Sequence, residues 1–170
     1  MLCMLPLVLN PLSLKAGLIG RGEALARRAA LLAEAGVEAR LLSPDASDAV
    51  LASLQILFVA GLDEGEGRYL ATRARALGVL VNVEDVLPLC DFHVPAIVRR
   101  GDLLLTASTG GAAPGLARAL REWLAGQFSA EWTTRLQDLA GARARWRSDG
   151  LTPAEISGKV RDLIAQKGWL

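Results

Sequence analysis

Residues 15–45 read KAGLIGRGEALARRAALLAEAGVEARLLSPD, and they set the architecture of the first half of the chain. The apolar run Ala16–Ile19 predicts a strand that ends at Gly20-Arg21-Gly22. Glu23–Ala35 carries apolar residues at helical spacing, which predicts a helix. Val37–Leu42 predicts the next strand. A strand, a helix and a second strand within about thirty residues form a βαβ unit, the building block of a parallel sheet.

Within a βαβ unit, the glycine turn predicts a nucleotide site. Gly20 allows the tight turn, and Gly22 lets a pyrophosphate approach the helix N-terminus. Asp45 follows the second strand, where a carboxylate accepts a hydrogen bond from a ribose hydroxyl and disfavours a 2′-phosphate. The same Gly-x-Gly pattern is equally typical of an ordinary strand-to-helix turn, and both interpretations stay open here. The predicted NAD-binding residues are Gly20, Gly22, Glu23, Ala24, Pro44, Asp45 and Gly61.

The alternation of strands and helices continues downstream. Gln55–Ala60 predicts a fully buried strand, Asp63–Leu77 a helix, and Leu80–Val83 and Leu103–Ala107 two more strands. This pattern predicts an α/β fold with a Rossmann-like, mostly parallel sheet. Val94–Val98 predicts an additional strand or an arm. The apolar opening, Met1–Leu9, predicts a first strand, because no basic residue precedes it as in a signal peptide.

In a parallel sheet, residues that follow different strands lie along one carboxyl edge. The pattern therefore predicts a shared edge for these residues and turns: Gly20, Asp45, Gly61, Asp85 and Ser108–Gly111.

The end of the chain changes to helices. Pro114 begins a predicted helix to about Gln127, Ala130–Arg147 predicts a second, and a capping box at Thr152 begins a third. We therefore predict two domains, residues 1–112 and residues 113–170. The last two helices are amphipathic and have little to bury against, so we expect a homodimer contact; packing within the chain is the alternative.

Composition excludes several classes of partner. A net charge of +1 with 22% charged residues indicates neither a nucleic-acid nor a membrane partner. No apolar run reaches the roughly 18 residues of a membrane span. Cys3 and Cys90 form neither metal spacing nor a disulfide framework, so we expect no resident metal and a reducing, cytoplasmic location.

Three blocks in the second half of the chain carry the chemistry. Val81-Asn82-Val83-Glu84-Asp85 delivers an amide and a carboxylate to a strand end, and Phe92–Arg100 reads FHVPAIVRR. Ser108–Pro114 reads STGGAAP and opens a helix. In order and spacing, these blocks resemble the precorrin-2 dehydrogenases, which form the N-terminal module of sirohaem synthases. The resemblance covers nearly the whole chain.

The resemblance implies an NAD-dependent oxidation of precorrin-2 to sirohydrochlorin in sirohaem biosynthesis, carried out by a homodimer. Some members of the family also insert ferrous iron, which would then be a substrate. Asp85 occupies the place of the aspartate that serves dehydrogenation, where a carboxylate is a sensible base. The expected substrate-binding residues are Asn82, His93, Arg99, Ser108, Thr109, Gly110 and Gly111.

Simpler roles remain open for these substrate residues. Asn82 is equally suited to holding a loop, a lone histidine such as His93 is more often packed than a ligand, and Ser108–Gly111 is also typical of helix capping. Arg100 is a second candidate cation beside Arg99 for the substrate carboxylates.

A rival function is a non-catalytic, tetrapyrrole-binding homodimer with a degenerate nucleotide site. Arg21 replaces a glycine of the family's turn, and Leu25 stands where the fingerprint has glycine or alanine. A leucine there is expected to push the helix away from the sheet or from the cofactor. The link between Asp45 and Gln55 is also shorter than in most members, which insert a further strand, and Gly61-Leu62-Asp63 stands where most members read Thr-Asp-Asp.

Overall fold

The computed structural model describes residues 4–170. The chain divides into two compact units, Met1–Val94 (unit 1) and Pro95–Leu170 (unit 2). This division lies earlier than the boundary predicted between residues 112 and 113, because the strands after Pro95 pack against the helix that follows them. Within residues 4–170, no helix is both long and apolar enough to cross a membrane.

Unit 1 is a four-stranded parallel sheet in the order β2-β1-β3-β4, with helices packed on the strands. The fold class predicted from the sequence is confirmed. Its strands are β1 (Ala16–Gly20), β2 (Arg40–Leu42), β3 (Ile56–Ala60) and β4 (Leu80–Val83), and its helices are α1 (Gly22–Glu34), α2 (Asp48–Ala52) and α3 (Glu64–Ala76).

The core of unit 1 lies on both faces of the sheet. Successive side chains of a strand point to opposite faces, so Leu57 and Val59 join one buried cluster while Ile56 and Phe58 join another. The first cluster includes residues of α2 and α3, and the second includes Leu32 of α1. Every residue of β3 is buried, as its apolar run predicted.

Unit 2 contains a two-stranded antiparallel sheet and three helices. Its elements are β5 (Ala96–Arg100), β6 (Leu103–Ala107), α4 (Pro114–Gln127), α5 (Trp132–Ser148) and α6 (Pro153–Lys167). Arg100 Nε donates to the Phe128 carbonyl at 2.6 Å and its Nη2 donates to the Ala125 carbonyl at 3.1 Å. These bonds satisfy carbonyls at the end of α4 that lack partners within the helix.

Two sequence-based predictions need correction. Residues 4–9 form no strand, and the rest of the predicted strand, residues 1–3, lies outside the described residues. β6 pairs with β5 instead of joining the parallel sheet. The Ser108–Gly111 turn therefore does not follow a strand of that sheet, so the strand order gives no reason to place it on the shared carboxyl edge. A short apolar run does not reveal its pairing partner, which explains the error.

Candidate functional site

The carboxyl edge of the unit 1 sheet gathers the predicted nucleotide residues and Asp85. All four strands are parallel, so the residues that follow them lie along one edge. Gly20 ends β1, Gly61 follows β3 and Asp85 follows β4 in a turn. Pro44 and Asp45 form the turn after β2, and Asp45 is exposed.

The glycines at this edge allow two backbone segments to touch. A Cβ on Gly20 would lie 1.9 Å from the Ala60 carbonyl oxygen. A Cβ on Gly61, whose φ is +70°, would lie 2.3 Å from the Arg21 carbonyl oxygen. Any larger residue would force the β1–α1 turn away from the end of β3.

Space remains open at the beginning of α1. Gly22 is its first residue, with a φ of +61°, and no residue outside its own turn comes within 4 Å of the position a Cβ would take. A helix N-terminus with unpaired N–H groups favours an anion, so the open turn fits the pyrophosphate of a dinucleotide. Glu23 is exposed beside it and lies 3.7 Å from Arg27, and Ala24 packs close to Gly61.

Leu25 does not displace the helix. Its side chain packs against the buried cluster formed by residues such as Leu18 and Phe58, and α1 stays in contact with β1 and β3. The leucine that stands in place of the third fingerprint glycine is thus part of the core. The expected separation of helix and sheet is not observed.

Arg21 makes a contact that the sequence did not reveal. Its guanidinium forms a two-bond ion pair with Glu66 in the first turn of α3, with Nη1 to Oε2 at 3.1 Å. Glu66 also belongs to the capping box of α3, because its carboxylate accepts the Asp63 N–H at 3.3 Å. Arg21 therefore links the glycine turn to the helix that follows β3.

Asp85 has an unusual backbone conformation. Its φ is +63°, and no other non-glycine residue among residues 4–170 has a positive φ. The turn is closed by the Val86 N–H, which donates to the Val83 carbonyl at 3.3 Å. A non-glycine residue in this region costs about 1 kcal/mol or more, and such strain clusters at functional sites. The turn presents the Asp85 carboxylate to solvent.

Glu84, the acidic residue next to Asp85, is held by an ion pair with Arg28. Glu84 Oε1 lies 3.5 Å from Arg28 Nη2, and both side chains are largely buried. The guanidinium also lies 5.6 Å from the centre of the Phe58 ring, a cation–π distance. Glu84 is therefore largely buried and fixed to α1. Of the two neighbouring acidic residues, Glu84 and Asp85, only Asp85 has an exposed carboxylate.

Asn82 holds a loop. It is only 7% exposed, and its Nδ2 donates to the Phe92 carbonyl at 2.9 Å and to Cys90 Sγ at 3.4 Å. The Cys90 thiol donates in turn to the Val83 carbonyl at 3.1 Å, and burial raises its pKa, so the thiol stays neutral near pH 7. These bonds favour the loop-holding role for Asn82.

Asp91 is a structural residue that sequence reasoning missed. Its carboxylate accepts the Val81 N–H at 2.9 Å and pairs with Arg75 at 2.8 Å. The partners belong to β4 and α3, so no local signal in the sequence identified them.

The remaining predicted residues lie near or within unit 2. His93 is half-buried in the loop before β5, and Arg99 lies in β5. Arg100 is engaged by carbonyl groups at the end of α4, so it is not the free cation that sequence analysis expected. Ser108 Oγ accepts the Gly110 N–H at 3.3 Å and Thr109 Oγ1 accepts the Ala113 N–H at 3.2 Å. Both hydroxyls thus support the turn itself, with Gly110 and Gly111 at positive φ.

Comparisons with known proteins agree with this geometry. A family model described as "Putative NAD(P)-binding" matches residues 7–96. The siroheme synthase of Nitrosococcus oceani is 32% identical, covering 83% of this chain and 37% of that protein. The siroheme synthase of Psychrobacter cryohalolentis is 30% identical, covering 88% and 36%. This chain therefore spans about a third of the length of these curated relatives.

A solved structure shares the fold. The chain described as "SirC, precorrin-2 dehydrogenase" superposes with a TM-score of 0.72 at 19% identity, covering 95% of this chain and 89% of that chain. The resemblance to siroheme synthases that the sequence motifs predicted is confirmed. Because the family model matches more than half of the residues, this chain belongs to the NAD(P)-binding family that the model describes.

Proposed function

We propose that this chain oxidises precorrin-2 to sirohydrochlorin, with NAD as the hydride acceptor. The observation that carries the proposal is Asp85, an exposed carboxylate held at positive φ on the same sheet edge as the open glycine turn. The relatives named siroheme synthase and the fold shared with a precorrin-2 dehydrogenase support the same reaction.

The residues of unit 1 divide the work. When bound, the nicotinamide supplies the hydride-accepting chemistry. Gly20, Gly22 and Gly61 keep the backbone close and leave room for the pyrophosphate at the start of α1. Asp45 is suited to a ribose hydroxyl. Asp85 takes up the proton released when a carbon–hydrogen bond of the substrate is oxidised.

The substrate carries several carboxylates, which require donors and cations. Arg99, His93 and the Gly111 amide are the groups we assign to them, because the Gly110 N–H already donates to Ser108 Oγ. The positive φ of Gly110 and Gly111 supports this assignment, because turns of this kind direct backbone amides at anions. Ser108 and Thr109 contribute by holding the turn.

We also propose that the chain is a homodimer. The exposed apolar residues of α4 are Leu116, Leu120 and Trp123, which recur at helical spacing on one face, and Trp123 is 60% exposed. Such a stripe is costly to leave in water, and a second copy offers a matching surface.

A second candidate is a tetrapyrrole-binding homodimer without activity. The Arg21–Glu66 ion pair favours it, because these side chains lie at the turn where a pyrophosphate would bind. The two functions differ in one measurement, since only the enzyme binds NADH.

The test is anaerobic oxidation of precorrin-2 by the purified chain with NAD, followed by absorbance, together with NADH fluorescence titration. The enzyme is expected to form sirohydrochlorin and NADH in equal amounts. NADH binding without turnover would contradict the dehydrogenase, and tetrapyrrole binding without NADH binding would favour the second candidate. Adding ferrous iron to the product measures iron insertion separately.

A further inference from the structure

Arg21 combines a backbone that is held on both sides with a side chain that is mostly exposed. Its N–H donates to the Ala60 carbonyl at 3.1 Å, and its own carbonyl lies against Gly61. The side chain is 59% exposed, and its described ion-pair partner is the Glu66 carboxylate. The guanidinium can therefore leave Glu66 without disturbing the turn.

Glu66 keeps a structural role without Arg21. Its N–H donates to Asp63 Oδ1 at 2.9 Å and its carboxylate accepts the Asp63 N–H, which completes the capping box of α3. Glutamine at this position also supports a capping box. The ion pair with Arg21 is thus an addition to a cap that is stable by itself.

The charges near this edge oppose an anion. Asp63, Glu64 and Glu66 crowd the first turn of α3, and Glu23 lies in the first turn of α1. A pyrophosphate at the start of α1 would meet these carboxylates. Arg21 is the cation within the glycine turn, and a guanidinium binds either a carboxylate or a phosphate through two parallel hydrogen bonds.

We infer that Arg21 exchanges Glu66 for the pyrophosphate of the bound dinucleotide. Glu66 is then a competitor built into the protein, and the strength of its ion pair sets the affinity for the nucleotide. This inference rests on the nucleotide site of the proposed function. It assigns the arginine that replaces a glycine of the family's turn to the binding of the nucleotide.

The test is NADH titration by fluorescence and calorimetry on the full chain, at low and at physiological ionic strength. Arg21→Gln is expected to weaken binding about tenfold and to reduce its salt dependence, because one charged contact is lost. Glu66→Gln is expected to tighten binding severalfold, because the cap stays and the competitor is neutral. Glu64→Gln is the matched control, since Glu64 lies in the same helical turn but pairs with Arg68.

The direction of the change in NADH affinity distinguishes the proposed role of Arg21 from one in which Arg21 only obstructs the site. If Arg21→Gln binds NADH as tightly as wild type or more tightly, the exchange is wrong and Arg21 only obstructs the site. If Glu66→Gln and Glu64→Gln tighten binding equally, the effect is general charge repulsion and the exchange is again wrong. A wild-type chain that binds no NADH overturns the nucleotide site itself, and the proposed function with it. Unchanged thermal unfolding of each variant shows that the comparison is made on folded protein.

Discussion

Unit 1 and unit 2 differ in how much apolar surface each buries. Unit 1 holds two buried clusters, one on each face of its sheet. Unit 2 has few buried apolar side chains among its described residues, and they are Val98, Trp132, Ala142 and Ile156. Its α4 has no buried residue and carries an exposed apolar stripe. Unit 1 thus buries most of the apolar core, whereas unit 2 keeps an apolar helical face exposed, which the proposed homodimer would cover.

The difference matches the kind of work each unit is suited to. Close backbone contacts such as that of Gly61 with Arg21, and a strained residue such as Asp85, persist only where surrounding packing fixes them. Unit 1 has that packing. Unit 2 instead has an exposed apolar helical face, and its burial would stabilise the proposed homodimer.

The largest effect is expected for Asp85→Asn, which tests whether unit 1 supplies the general base of the proposed reaction. Asparagine tolerates positive φ well, so this change removes the charge and keeps the turn. Loss of a general base is expected to lower turnover by roughly a hundredfold or more, with a smaller effect on tetrapyrrole binding. The measurement is precorrin-2 oxidation with NAD. Wild-type turnover in this variant would show that Asp85 is not the base.

Two further variants complete this test. Asp85→Gly relieves the backbone strain, so it is expected to be inactive yet at least as stable as wild type to thermal unfolding. Asp102→Asn, at an exposed position in the turn between β5 and β6, is the control and is expected to retain activity. Asp91 is unsuitable as a control, because its carboxylate holds β4 and α3.

The next largest effect concerns the exposed apolar stripe on α4 of unit 2, which the proposed homodimer would bury. Leu120→Glu places a charge in the middle of the α4 stripe and is expected to convert a dimer into monomers at micromolar concentration. Arg118→Glu introduces the same side chain on the opposite face of the helix and should leave the dimer intact. Analytical ultracentrifugation of the three proteins decides. A wild-type monomer would mean that unit 2 is complete without a partner.

The sequence predicted unit 1 better than unit 2 for a physical reason. Buried parallel strands such as β3 and β4 read as apolar runs, and glycine turns mark their ends, so local patterns identify them. β6 also begins as an apolar run (Leu103-Leu104-Leu105), yet its partner strand is set by packing within unit 2. The pattern predicted the strands and assigned β6 to the wrong sheet.

Helix faces show the same limit. Residue type and helical spacing in α3 favour Tyr69 as a core contact and Arg73 as an outward residue. In the structure Tyr69 is exposed, and Arg73 reaches back to Asp48 and to the Ala46 carbonyl while it lies 5.2 Å from the Tyr69 ring centre. Long-range ion pairs of this kind hold arginine stems against apolar surface, and helical spacing does not contain them.

In the candidate site too, local motifs identified some features and missed others. Local motifs were enough to single out the glycine turn and Asp85. The Arg28–Glu84 and Arg21–Glu66 ion pairs join segments far apart in the chain, and no motif indicated them.

A smaller effect is expected at the exposed edge of unit 1. β2 is a short edge strand, and Asp45 follows it in a turn. Its carboxylate should repel a 2′-phosphate, so wild type is expected to bind NADH more tightly than NADPH. Asp45→Asn should reduce this preference, because it removes the charge that repels the 2′-phosphate. The reduction should be only severalfold, because salt screens the interaction between exposed charges. Glu38→Gln, before the same strand, is the control in calorimetric titrations, and equal NADH and NADPH affinities in wild type would contradict the role of Asp45.

The smallest effect compares one helix cap in each unit. Thr152 and Glu155 form a capping box at the start of α6 in unit 2, as Asp63 and Glu66 do for α3 in unit 1. Loss of the Thr152 cap through Thr152→Ala is expected to lower the free energy of unfolding by about 1 kcal/mol. Because α6 buries only Ile156 whereas α3 has several buried residues, Thr152→Ala should also speed hydrogen exchange throughout α6. Asp63→Ala should speed exchange only near the first turn of α3.

The pH dependence of the Thr152 variant gives an independent check. Hydrogen bonds from the Thr152 side chain and backbone lower the pKa of Glu155 below its ordinary value. The folded state therefore binds fewer protons than the unfolded state as pH falls past that ordinary value, so the stabilisation is complete above it and is lost as pH falls through the lowered pKa. The stability difference between wild type and Thr152→Ala should accordingly be largest near neutral pH and shrink under acid. Urea unfolding at neutral and at acidic pH measures it, and a difference that stays constant with pH would show that the hydrogen bond from the Thr152 hydroxyl to the Glu155 carboxylate contributes nothing to the cap.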